Sequence, residues 1–119
     1  MKKILKNLIE FETIKENNEQ IDNCHKYISD FLKKNVKNSK IKSYTSNKKP
    51  SIVATIGTKN FLKPKIMLHG HFDVVEGNKK QFKAQFKGDK IFGRSALDMK
   101  SGVAIAMQCI KNLSKEKNP

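Results

Sequence analysis

Lys65-Ile66-Met67-Leu68-His69-Gly70-His71-Phe72-Asp73 is the stretch on which the reading of this chain turns. It opens as an apolar run and closes on two histidines, a glycine and a carboxylate. The continuous run Ile66-Met67-Leu68 predicts a strand covered on both faces. Imidazole and carboxylate at its exit stand where open α/β sheets place their chemistry, beyond the carboxyl ends of the strands. The remaining residues either lead to this stretch or complete it.

The chain has 119 residues, enough for one domain with a modest core, and its hydrophobic content is 37%. A formal charge of +14 arises from 25 basic against 11 acidic residues, which raises the question of nucleic acid. Only Arg94 is an arginine; the other basic residues are lysines scattered in singles and pairs such as Lys33-Lys34, Lys48-Lys49 and Lys79-Lys80. Base readers carry arginine forks and single-strand binders interleave aromatics with basic residues. Neither pattern is present, so a compositional bias toward Lys, Asn and Ile accounts for the charge and no nucleic-acid partner is expected. Cys24 and Cys109 lack metal or redox spacing and read as reduced thiols packed like small hydrophobes. The apolar run after Met1-Lys2-Lys3 is broken by Lys6, Asn7 and Glu10, so neither a signal peptide nor a membrane span is predicted. A cytoplasmic protein is expected.

Ile4, Leu5, Leu8, Ile9 and Phe11 fit one face of a short helix, and Thr13 to Asn18 reads as a break. A second helix is predicted from Glu19 to Asn35, with Ile21, Cys24, Ile28, Phe31 and Leu32 on one stripe and Asn35 as a left-handed exit. His25 flanks that stripe and reads as a packed or surface residue. Ile41 to Tyr44 and Ser51 to Ile56 predict two strands around an Asn47-Lys48-Lys49-Pro50 turn, and Gly57-Thr58-Lys59-Asn60 predicts another turn. Phe82 to Phe86 reads as irregular or hairpin, Gly88-Asp89 as a turn into Lys90-Ile91-Phe92, and Gly93 to Asp98 as a loop. Ser101 to Leu113 is the last predicted helix, with Val103, Ala104, Ala106, Met107 and Ile110 inside, followed by a polar tail from Ser114 to Pro119. This order predicts an α/β fold, three-layer, with a mixed sheet and flanking helices. Strands to flank Ile66–Leu68 are in short supply.

His71 and Asp73 lie two apart, so in extended backbone they project to one side. Such a pair has a known use: imidazole binds metal through one nitrogen while the carboxylate receives the other N–H and fixes the tautomer. Alone the pair is a weak signal. The run Gly93-Arg94-Ser95-Ala96-Leu97-Asp98-Met99-Lys100-Ser101-Gly102 adds a second carboxylate in a loop just before a helix. A carboxylate there can bridge two cations in a hydrolytic centre, or sit as an acid at the helix N-terminus. Spacing alone leaves both readings of Asp98 open.

Together, Gly70-His71-Phe72-Asp73-Val74-Val75 and Ile91-Phe92-Gly93-Arg94-Ser95-Ala96-Leu97-Asp98-Met99-Lys100-Ser101-Gly102 resemble two N-terminal signatures of a metallopeptidase family. That family contains acetylornithine deacetylase, succinyl-diaminopimelate desuccinylase, aminoacylase and carboxypeptidase G. A weaker likeness extends into the first helices, at Leu8-Ile9-Glu10-Phe11 and Tyr27-Ile28. The resemblance implies that His71 ligates one zinc, that Asp98 bridges two, and that Asp73 orients His71. Cobalt and manganese are the alternative metals. His69 has no ligand counterpart and is expected to pack beside the site. Arg94 is expected to tie its loop down. The Asp98–Met99 peptide is expected in cis, a costly conformation kept at sites. Ser95 departs from the family's usual glycine, which costs something if that position needs positive φ.

The family's chemistry is amide hydrolysis of N-acyl amino acids or small peptides, with metal-activated water and a glutamate as general base. After Asp98 this chain has one acidic residue, Glu116, and no histidine. Two metal donors are fewer than the three or four zinc takes. Residues 1–119 are therefore read as the N-terminal portion of such a catalytic domain, without its second, dimerising domain, and inactive alone. The rivals are one half of a split hydrolase, completed by a separate C-terminal chain, and a small basic non-catalytic binding protein. The expected partner of a completed site is a small acylated amino acid or peptide, with no membrane involved.

Overall fold

Helix α1 (Lys2–Glu10) buries Ile4, Leu5, Leu8 and Ile9, which recur on one side of the helix as their spacing requires. Helix α2 (Asn18–Asn35) starts at Asn17, whose side chain accepts a hydrogen bond from the Gln20 backbone N–H at 3.2 Å. Glu19 in its first turn and Lys33 and Lys34 in its last match the helix dipole. Its buried stripe is Ile21, Cys24, Ile28 and Leu32. Helix α3 (Ser101–Leu113) adds Ala104 and Met107 to the same core, with Val103 and Ile110 half-buried against it. These assignments come from a computed structural model that describes residues 1–57 and 64–116.

Between α2 and α3 the chain makes two antiparallel hairpins. Strand β1 (Ser39–Ser46) pairs with β2 (Lys49–Ile56) from Ser39 opposite Ile56 to Ser46 opposite Lys49. The turn is only Asn47-Lys48, both at positive φ (48° and 60°), which is the backbone of a two-residue turn matched to the twist of the strands. Lys49 and Pro50 therefore belong to the strand rather than to the predicted four-residue turn, with Pro50 opposite Thr45. Ile41, Ile52, Ala54 and Ile56 turn toward the helices, whereas Tyr44 and Val53 face out. The second hairpin joins β3 (Gln85–Lys87) to β4 (Lys90–Phe92) around Gly88 at φ +57°. A short 3₁₀ turn, Lys79–Phe82, precedes it and buries Phe82.

The architecture is thus α/β, helices with two small antiparallel sheets. Among the described residues these sheets are separate and neither is mixed. The sharpest departure from expectation is Ile66–Leu68. Ile66 is 80% exposed, Met67 82% and Leu68 56%, and the run belongs to no ladder among the described residues. Apolar side chains say that a segment needs cover, but the ladder partners must come from other segments, and the described strands pair with each other instead. Asn35 is a second departure. It does not leave α2 in left-handed conformation; the cap, Val36, is extended, Asn35 Nδ2 donates to the Phe31 carbonyl at 2.9 Å, and Asn38 is the residue at positive φ. The predicted turn at 57–60 and the end of the tail lie partly outside the described residues. Ser114 at the start of that tail is buried, and its hydroxyl accepts from the Lys37 N–H at 3.3 Å. No helix among the described residues is long and apolar enough to cross a membrane.

Gly93 follows β4 and lies against Ile9 of α1. A Cβ built there would lie 2.5 Å from Cγ2 of Ile9, a fully buried, β-branched side chain with little room to move. Gly93→Ala is expected to cost about 1–3 kcal/mol by overpacking, seen as a lower urea midpoint at unchanged slope. An unchanged midpoint would mean that Ile9 yields.

Candidate metal centre

The loop after β4 is shaped by its own backbone bonds. Ser95 stands at φ +60°, the left-handed region where the resemblance had implied a glycine. Its hydroxyl donates to the Asp98 carbonyl, and the Lys100 N–H donates back to the Ser95 carbonyl at 3.0 Å. The kinked turn Ala96–Lys100 has non-helical dihedrals at Asp98 (φ −117°, ψ 99°) and Met99, and the Asp98–Met99 peptide is cis, as the resemblance implied. Arg94 is held on both of its ends. Its backbone N–H donates to the Gln81 carbonyl at 2.6 Å and Nη2 donates to Gln81 Oε1 at 3.1 Å. The same Gln81 oxygen accepts from the Asn78 N–H at 2.9 Å, so the guanidinium ties this loop to the 3₁₀ turn. Gly77 leaves the room: a Cβ there would fall 2.6 Å from Arg94 Nε.

The imidazole of His71 lies between two carboxylates. Nε2 is 3.6 Å from Asp98 Oδ1, while Nδ1 is 3.1 Å from the Asp73 carbonyl oxygen and 3.5 Å from Asp73 Oδ1. Nδ1 is within hydrogen-bond distance of a carbonyl that can only accept, so its proton belongs on that side. Nε2 is then left with a lone pair facing a carboxylate oxygen across a gap longer than a hydrogen bond. Two donors at this separation suit a cation between them. Two donors bound to zinc at about 2.1 Å with a tetrahedral angle sit roughly 3.4 Å apart, close to the separation seen. The side chains are accessible, with 44% of His71, 74% of Asp73 and 88% of Asp98 exposed. Among the described residues no three His, Cys, Asp or Glu side chains, these included, form a group able by itself to hold a metal ion.

Asp98 is not the helix cap that spacing left open. Helix α3 has Lys100 at its N-cap position with no side-chain capping bond, and the Asp98 carboxylate stands in solvent. His69 is exposed rather than packed, because the segment before His71 has no covering layer among the described residues. His25 is half-buried on α2, with Nε2 buried and unpaired among the described residues.

Sequence reading missed the residues that hold the two motif segments together. Thr13, inside the predicted break after α1, is fully buried; its hydroxyl donates to the Phe72 carbonyl and its own carbonyl accepts from the Val74 N–H at 2.9 Å. Ile14 and Val74 form an isolated parallel bridge. Lys100 is also fully buried, and its ammonium donates to the Phe11 carbonyl at 2.7 Å. The adjacent β-branched pair Thr13-Ile14 was the available signal for a short extended contact. Nothing in the pattern marked Lys100, since lysine is among the residues least often buried.

One imidazole and two carboxylates, all accessible, thus converge from two loops on a helical scaffold. Residues 67–119 match the Peptidase family M20/M25/M40, and over that stretch the chain is similar to its members. It is 33% identical over 107 residues to the succinyl-diaminopimelate desuccinylase of Rickettsia massiliae (strain Mtu5), covering 84% of this chain and 27% of that protein. It is 34% identical over 120 residues to the enzyme of the same name from Rickettsia canadensis (strain McKiel), covering 91% and 30%. A probable succinyl-diaminopimelate desuccinylase of Staphylococcus aureus (strain MRSA252) is 34% identical over 122 residues, covering 97% and 28%. The chain thus spans under a third of the length of these curated relatives.

Proposed function

We propose that residues 1–119 form the N-terminal portion of the catalytic domain of a metal-dependent hydrolase that cleaves amide bonds of N-acyl amino acids or small peptides. His71 and Asp98 would be two of its metal donors, Asp98 being the bridging carboxylate that the family resemblance implies, and Asp73 would fix the His71 ring. The observation that carries this reading is the 3.6 Å approach of His71 Nε2 to Asp98 Oδ1, with Nδ1 within hydrogen-bond distance of the Asp73 carbonyl. The donor set, one imidazole nitrogen and one carboxylate oxygen, suits zinc, with cobalt or manganese as alternatives. A divalent cation held there supplies a Lewis acid for an amide carbonyl and lowers the pKa of water.

The residues of this chain bind and orient. His71 contributes a neutral nitrogen donor, and the Asp73 carbonyl and carboxylate hold the ring with Nε2 turned to Asp98. The remaining donors of a two-zinc site and the glutamate base are assigned to polypeptide outside these residues, in keeping with the share of the relatives that the chain spans. The same reading places Ile66–Leu68 as an inner strand of a completed mixed sheet in a three-layer domain, which its exposed apolar side chains support. The relatives' name points to an N-succinyl diamino acid as the first substrate to try.

Calorimetric titration of the chain with zinc tests the reading. One zinc is expected to bind weakly, in the micromolar range or above, with no hydrolysis of N-succinyl or N-acetyl amino acids by this chain alone. Absence of any zinc binding at millimolar metal overturns the donor assignment. Submicromolar binding together with turnover by these residues alone overturns the view that the site needs more than they supply.

A further inference from the structure

We infer that the short segment Phe11–Thr13 is a clasp that sets the distance between the two candidate donors, and that Thr13 and Lys100 are positioning residues for them. The inference rests on the metal-centre reading above and names what holds that centre together.

Its basis is where the bonds converge. The Phe11 carbonyl accepts from Lys100 Nζ at 2.7 Å and from the Thr13 N–H at 3.0 Å, using both of its lone pairs. From the same turn, the Thr13 hydroxyl and carbonyl take the backbone on either side of Asp73, at Phe72 and Val74. One arm of the clasp therefore ends two residues after Asp98, and the other grips the residue next to His71. Phe11 is itself anchored, its ring 5.7 Å from that of Tyr27 on α2. The need for such a device follows from the rest of the segment. Residues 64–75 join no sheet among the described residues, and the hydrogen bonds that link their backbone to another element are those made by Thr13. Side-chain packing supplements the clasp without replacing it. Gly70 lies against Met99 and Val103, where a Cβ would come within 3.2 Å of the mobile end of Met99.

Burial separates this arrangement from an incidental contact. Thr13 and Lys100 are both at 0% exposure, and burying a hydroxyl and an ammonium is costly unless each is bonded. Each has one side-chain bond, and each of those bonds runs to the clasp or to the His71 segment. A hydrophobic residue at either position would fill the space without setting a register.

The test compares the full chain with Thr13→Val, which keeps shape and loses the hydroxyl, and Thr13→Ser, which restores it. Two readouts are needed. The first, without metal, is the NMR cross-relaxation between the His71 ring protons and the Asp98 β protons. The second is zinc affinity by calorimetry. Thr13→Val is expected to keep its circular dichroism, lose at least about half of the cross-peak intensity and bind zinc about tenfold more weakly; Thr13→Ser is expected to restore both. A cross-peak unchanged in Thr13→Val, or zinc bound by it as by the parent, overturns the clasp. Zinc bound by no variant, the parent included, removes the metal reading, and the cross-peak alone then decides the clasp. If Thr13→Val fails to fold, Lys100→Met cuts the other arm and is judged by the same two readouts.

Discussion

His71→Ala is expected to weaken zinc binding by at least about a hundredfold, a larger loss than any single change outside the donor pair. Outer groups that only orient a ligand are worth about 10–100-fold in affinity, so removing a donor outright from a pair that has no third member among the described residues should exceed that range. Asp98→Asn should fall nearly as far, because it exchanges an anionic oxygen donor for a neutral one at the same place. Asp73→Asn should cost about tenfold, and less if the backbone carbonyl of Asp73, the nearer partner of Nδ1 at 3.1 Å, does most of the orienting. His69→Ala is the control. It is exposed, two residues from His71, and removes an imidazole of equal intrinsic affinity for metal. If His69→Ala and His71→Ala lower the affinity equally in the same calorimetric titration, binding is a matter of loose surface histidines and the centre described above does not exist.

How far the sequence anticipated all this depended on the range of the interaction. Helices α1, α2 and α3 were legible because their apolar residues repeat at helical spacing and their polar ends are local; the boundaries fell within a residue or so. The β1–β2 hairpin was legible as two strands, but its turn was misjudged because Pro50 reads as a turn residue and is in fact the second residue of β2. Ile66–Leu68 shows the opposite limit. Its pattern states that the run is apolar, whereas being a strand is a property of its neighbours, which no local pattern can supply. The site followed the same division. His71, Asp73 and Asp98 were singled out from residue type and from the motifs around them, and the structure brings their side chains within 3.6 Å of one another in succession. Thr13 and Lys100 were invisible because their partners are 59 and 89 residues away in the chain. A buried lysine in a sequence with 25 basic residues looks like every other one.

That buried lysine has a thermodynamic signature of its own. Burial pushes the pKa of Lys100 from 10.5 down to about 8, with the neighbouring Cys24 acting in the other direction. Between these two values the unfolded chain keeps its proton where the folded chain has released it. Stability therefore rises with pH across that window, and the cost of the buried ammonium is borne in full below it. Burial pushes Cys24 the other way, from 9.0 up to about 12, with Lys100 opposing, so above pH 9 the unfolded thiol ionises first and stability falls. The two windows overlap above pH 9 and leave the lysine alone in command below it. The urea midpoint of the chain is thus expected to rise between pH 7 and 9, by an amount equivalent to about 1 kcal/mol, and to flatten or turn down beyond. Lys100→Met should abolish the rise. At pH 7 that variant loses a buried charge and one of the two hydrogen bonds to the Phe11 carbonyl, which keeps the Thr13 N–H, effects of about 3 and 1.5–3 kcal/mol that nearly offset, so its stability should stay near that of the parent. Lys100→Ala loses the same hydrogen bond and leaves a cavity besides, and should lie about 3 kcal/mol below Lys100→Met. Equal midpoints for the two variants, or a rise with pH that survives in Lys100→Met, would show that the ammonium reaches water and that the contact with Phe11 is not a buried one.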